Sequence, residues 1–153
     1  MNPQDPPPVP TFARLLGYAG LLPQVGVVAC LILGGPDIRF TAQTVGLAYA
    51  ALIFSFLGGV WWGLSAAARR TVPRGIWAVA VLPSLIALAT ALPWAAGLAW
   101  RGPSLVVLGV FVMSSAIVDL RLRSLDMTPP GWLALRLPLS VGLGALTLLA
   151  GLV

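Results

Sequence analysis

The sequence predicts an all-α membrane protein, a compact antiparallel bundle of five transmembrane helices. Three observations carry this. Hydrophobic residues make up 59% of the 153-residue chain and charged residues only 8%, against about a quarter charged in soluble domains. Such a chain cannot cover itself with polar surface, so lipid must be its solvent. The apolar residues fall in five runs, each near the roughly 20 residues a helix needs to cross the hydrocarbon core. The arginines collect at the ends of those runs. Membrane barrels need alternating strands of about ten residues, and these runs do not alternate.

Taken in order, residues 1–13 open with MNPQDPPPVP, which reads as an extended proline-rich tail. It has no basic n-region, so it reads neither as a signal peptide nor as a transit peptide. One domain is expected over residues 14–153. The first span covers 15–33 and stops at Gly34-Gly35-Pro36-Asp37. The second, 44–68, stops at Arg69-Arg70. The third, 75–92, ends near Pro93-Trp94, and the fourth, 103–120, ends at Arg121. The fifth covers 131–153.

Arg14, Arg69, Arg70, Arg74, Arg121, Arg123 and Arg136 fall on one side of such a bundle, Arg39 and Arg101 on the other. That asymmetry predicts a cytoplasmic N-terminus and an external C-terminus. The net charge of +5 is therefore accounted for by helix orientation. It forms no basic face, and no nucleic-acid partner is expected. The single cysteine, Cys30, excludes an internal disulfide, and the absence of histidine removes the usual zinc and haem ligands. No cofactor or metal is expected.

Within the second span, SFLGGVWWG raises a question of role. Ser55, Gly59, Gly63 and Ala67 are spaced four apart and form one stripe of small side chains suited to close helix approach. Successive residues are about 100° apart. Trp62 is thus expected beside the stripe, flanking a close contact, and Trp61 roughly opposite it, against lipid or another helix. One reading is helix packing with space-filling aromatics. The other is an indole N–H facing a buried pocket, where it needs an acceptor.

A polar layer is expected about 8 to 15 Å inside the arginine-rich end. Pro23, Pro83 and Pro138 each deprive a carbonyl of its helical donor, at Ala19, Val79 and Ala134. Gln24, Ser84, Ser115 and Ser140 lie at similar depth, with Trp62. Either these groups satisfy the kinked backbones, or Gln24, Trp62, Ser84, Ser115 and Ser140 line a cavity open toward the cytoplasm.

A charged cluster, Asp119, Arg121, Arg123 and Arg136, joins the last two spans. An arginine one turn inside a span is costly unless it is paired or snorkels, and Asp119 is the nearest acid at its level. A structural clasp with lipid-phosphate contacts, an anionic-ligand site and a lone proton carrier are the readings open here. Catalytic constellations are missing. There is no histidine or glutamate, no carboxylate pair and no phosphate loop. No catalytic residue is assigned and the chain is not expected to be an enzyme.

The strings ARLLGYAGLLP, YAALIFSFLGGVWWG, VLPSLIALATALPW and DLRLRSLDMTPPGWLALRLPLSVGL resemble the DUF3429 family, small membrane proteins of unknown function that include the mitochondrial transmembrane protein 69 group. The resemblance spans about residues 13–150 and matches Gly17, Pro23, Ser55, Gly58, Gly59, Trp62, Gly63, Pro83, Ser84, Arg136 and Pro138. Relatives often carry histidine or arginine where this chain has Trp61. The resemblance implies a helical membrane protein and brings no activity. The N-terminus and the lysine-free composition favour a multi-pass protein of a bacterial inner membrane. Size, span number and tryptophan content are also similar to the tryptophan-rich sensory protein family, but that family's loop motifs are absent.

The reading that follows is an integral membrane protein of unknown activity. Foremost is a non-catalytic accessory or assembly factor docking on another membrane protein, or on a second copy of itself. The alternative is a binder or carrier of a small apolar or amphipathic ligand in the cytoplasmic half of the bundle.

Overall fold

The computed structural model describes residues 9–98 and 100–153. Of the extended tail expected over residues 1–13, residues 1–8 lie outside them and residues 11–13 belong to the first helix. The described chain is helical, with no strand among the described residues: α1 (Thr11–Ala19), α2 (Leu22–Leu33), α3 (Pro36–Ala67), α4 (Arg74–Ala95), α5 (Arg101–Ser124) and α6 (Trp132–Leu152). Helices α1 and α2 together make one span, Thr11–Leu33, and each later helix is long and apolar enough to make another. The protein is a five-span, multi-pass membrane protein.

The expected spans differ from these helices in two informative places. The first span is broken at Gly20-Leu21. Pro23 lacks an N–H, so the helix cannot run continuously past the Ala19 carbonyl. The Tyr49 hydroxyl on α3 donates instead to the Gly20 carbonyl. The second span starts at Pro36, two turns before the expected residue 44. Pro36 is not a stop. It sits in the first turn of α3, where a missing N–H costs nothing, and Asp37 beside it faces the positive helix end. At 32 residues, α3 is about 48 Å long, well beyond the roughly 30 Å of hydrocarbon.

Helix α3 is central and touches α2, α4, α5 and α6, while α5 and α6 form the most extensive pairing. Glycine makes that pairing tight. A Cβ on Gly144 would lie 2.9 Å from the Gly109 carbonyl oxygen, and one on Gly151 would lie 2.7 Å from that of Gly102. Each pair is seven residues apart on its own helix, so the two antiparallel helices meet twice on one seam. Helix α3 meets α4 through Gly58, whose absent side chain leaves room for the Ala80 carbonyl and for Pro83.

The stripe Ser55, Gly59, Gly63, Ala67 is not the close contact. A Cβ on Gly59 or Gly63 would meet nothing within 4 Å, and Gly59, Gly63 and Ala67 are exposed. The buried face of α3 runs instead through Gly46, Ala50, Phe54, Gly58, Trp61 and Ser65. Four-residue spacing finds a stripe but does not say which way it faces.

Candidate functional site

Near the arginine-rich end, three helices deliver polar groups to one point. Asp119 comes from α5, about five residues before its end. Arg136 comes from the second turn of α6, and Trp61 from α3. By helix rise they lie about 6 to 9 Å inside the helix ends. Asp119 has no exposed surface. Its Oδ2 accepts from Arg136 Nε at 3.1 Å. Its Oδ1 accepts from Trp61 Nε1 at 3.1 Å and from Trp132 Nε1 at 3.2 Å. Three hydrogen bonds, one of them from a guanidinium, hold this side chain in one orientation.

The network continues from the cation. Arg136 Nη2 donates to Ser140 Oγ at 3.3 Å, one turn along α6. Ser140 is 3.0 Å from Ser115 Oγ on α5, and Ser115 also bonds the Val112 carbonyl. Among the described residues Arg136 Nη1 has no protein acceptor. The Arg136 side chain keeps a tenth of its surface open.

That opening lies in an apolar groove between α1, α3 and α6. Two hollows, of about 340 and 450 Å³, share Gly17, Phe56, Leu57, Leu139 and Arg136 as walls. Ser140 adds a hydroxyl to the first, and Gly63 and Trp132 complete the second. Helix α1 crosses between them at Gly17, where an added Cβ would stand 3.1 Å from Leu135 and Leu139. Leu16 and Phe56 are exposed at the mouth. Among the described residues Arg136 is the one charged residue in the groove's walls.

The five residues expected to line one cavity are distributed over four places. Ser115 and Ser140 bond each other beside Arg136. Gln24 is fully buried and donates to Thr147 Oγ1 on α6 at 3.2 Å, away from the groove. Ser84 pairs with Ser55 at 2.8 Å on the outer rim between α3 and α4. Trp62 is half-exposed and meets Trp77 edge-on at 4.8 Å. Of the two places expected for Trp61, lipid or another helix, it takes the second, against α5, while Trp62 flanks no close contact because the stripe beside it is exposed. Trp61 lies on the buried face of α3 because its 100° offset from Trp62 carries it to the Gly58–Ser65 side.

Within the charged cluster, Asp119 and Arg136 are brought together while Arg121 and Arg123 are exposed. A second ion pair, Arg70–Asp126 at 3.5 Å, ties two loops in solvent, where such pairs contribute little. Sequence reasoning missed Trp132. Its signal was its place four residues before Arg136, which puts both on one face of α6.

Searches of curated proteins and of solved structures return no match for this chain. A family model described as "Protein of unknown function (DUF3429)" matches residues 9–152, and the chain belongs to that family.

Proposed function

We propose that the protein binds one amphipathic small molecule in the lateral groove, with the ligand's hydrogen-bond-accepting head at Arg136 and its apolar part against Phe56, Leu57 and Leu139. The observation that carries this is the Arg136 guanidinium. It stands at the floor of an apolar groove, with Nη1 uncommitted among the described residues. A buried ion pair adds little net stability over apolar packing, and ionisable groups inside a membrane generally mark function. The hollows have the size of small-molecule sites, about 300–1,000 Å³. The reading is non-catalytic. Asp119 already accepts from three donors of the protein itself, which suits a positioning role. The excess of arginines at the groove end supports a cytoplasmic location for it and, with the composition, a bacterial inner membrane.

A second reading rests on a separate observation. Gly59 and Gly63 present an exposed surface with no neighbour within 4 Å of an added Cβ, which suits docking on another membrane protein or on a second copy. Native mass spectrometry of gently extracted protein separates the two. Of these two glycines only Gly63 lines the groove. Loss of a small-molecule adduct in Gly63→Leu but not in Gly59→Leu supports the ligand reading. Loss of a co-purifying protein in both supports docking and contradicts the ligand reading if no adduct is seen.

A further inference from the structure

At the opposite end of the bundle, about 27 Å along α5 from Asp119, Arg101 has no comparable partner. Its guanidinium carbon stands 4.0 Å above the Phe40 ring centroid. Its Nε is screened from solvent and has no hydrogen-bond acceptor among the described residues. Two ion pairs occur among the described residues and neither involves Arg101. Asp37, one turn before Phe40 on α3, does not reach it. Phe40, Trp94, Gly97, Leu98 and Arg101 line a recess of about 320 Å³. Phe40 and Trp94 are exposed in its wall, as aromatic side chains are at the headgroup level of a bilayer.

We propose that this recess is a binding site for the phosphate of an anionic phospholipid in the leaflet at the arginine-poor end. A cation–π contact fixes one face of the guanidinium. Its terminal N–H groups are then left for a bidentate acceptor, which the two non-bridging oxygens of a phosphate diester offer. The absence of a protein counter-charge selects a headgroup with net negative charge over a zwitterionic one. It also accounts for a cation kept on the side where the charge bias disfavours one. Arg39, exposed in the same end of α3, has no such setting and serves as the control.

The test is native mass spectrometry of the full chain with phosphatidylglycerol and phosphatidylcholine in competition. The wild type is expected to retain one phosphatidylglycerol with about fivefold preference. Arg101→Gln lowers its retention about tenfold, and Arg101→Lys, which keeps charge but loses the fork, about threefold. Arg39→Gln stays within about twofold. Phe40→Leu, which leaves the charge in place, lowers retention about threefold and carries the test if Arg101→Gln does not fold. Equal retention of the two lipids, or unchanged retention in the folded Arg101 or Phe40 variants, overturns the proposal. Displacement of the lipid by about 10 mM inorganic phosphate would overturn the lipid assignment in favour of a free anion.

Discussion

Trp61 Nε1 on α3 donates to Asp119 Oδ1 on α5 across 3.1 Å, between two residues with almost no exposed surface. The adjacent Trp62 is half-exposed. Trp61→Phe removes a donor to a buried charge and is expected to destabilise the fold by about 1.5–3 kcal/mol. Trp62→Phe loses only part of an edge contact with Trp77 and is expected to cost less than about 1 kcal/mol. Reversible unfolding in mixed micelles measures both, and equal costs would contradict the assignment of roles.

The same one-residue offset governs the glycines. Gly58→Ala places a methyl against the Ala80 carbonyl, a backbone atom that cannot yield without moving α4. A loss of about 1–3 kcal/mol follows. Gly59→Ala meets nothing and is expected to be neutral or slightly stabilising in an exposed helix position. Thermal unfolding of the two variants side by side decides it.

The Asp119–Arg136 pair should respond unequally to single and double substitution. Asp119→Leu or Arg136→Met alone leaves a buried charge uncompensated and is expected to cost about 3–5 kcal/mol. The double variant restores neutrality and should fold with stability close to wild type. It should also lose the small-molecule adduct, because the head-binding guanidinium is gone. A stable double variant that keeps the adduct would separate the pair from ligand binding.

Helix α1 buries no residue of its own and rests on α6. Its joint with α2 is held by the Tyr49 hydroxyl on the Gly20 carbonyl. Tyr49→Phe is expected to cost about 1 kcal/mol. It should speed hydrogen exchange in residues 11–20 while leaving α5 and α6 unchanged. Equal acceleration throughout would show that the joint is not local.

Span number and approximate position were legible because hydropathy over some 20 residues is a strong, additive signal. Facing direction was not. The stripe at Ser55, Gly59 and Gly63 and the buried line through Gly46, Ala50, Gly58 and Trp61 share helical spacing, and only the placement of α4 and α5 tells them apart. Asp119 and Arg136 can be paired on paper because Asp119 closes the expected fourth span and Arg136 lies about one turn inside the fifth, at the same membrane level. The indoles that complete the carboxylate's shell cannot, since Trp61 joins Asp119 across 58 positions. The seven-residue spacing of Gly102 with Gly109, and of Gly144 with Gly151, was present in the sequence and marks the tightest helix pair. Depth alone grouped Gln24 and Ser84 with Ser115 and Ser140. Azimuth separates them, and depth carries no azimuth.

Photo-crosslinking tests the groove most directly. The purified chain is labelled with a diazirine-bearing fatty acid, and the modified residues are mapped by peptide mass spectrometry. Binding with the head at Arg136 predicts labelling concentrated on Leu16, Phe56 and Leu139, reduced several-fold in Gly63→Leu and unchanged in Gly59→Leu. Labelling spread evenly over lipid-facing residues such as Leu88 and Ile117, with no effect of Gly63→Leu, would contradict a ligand site in the groove.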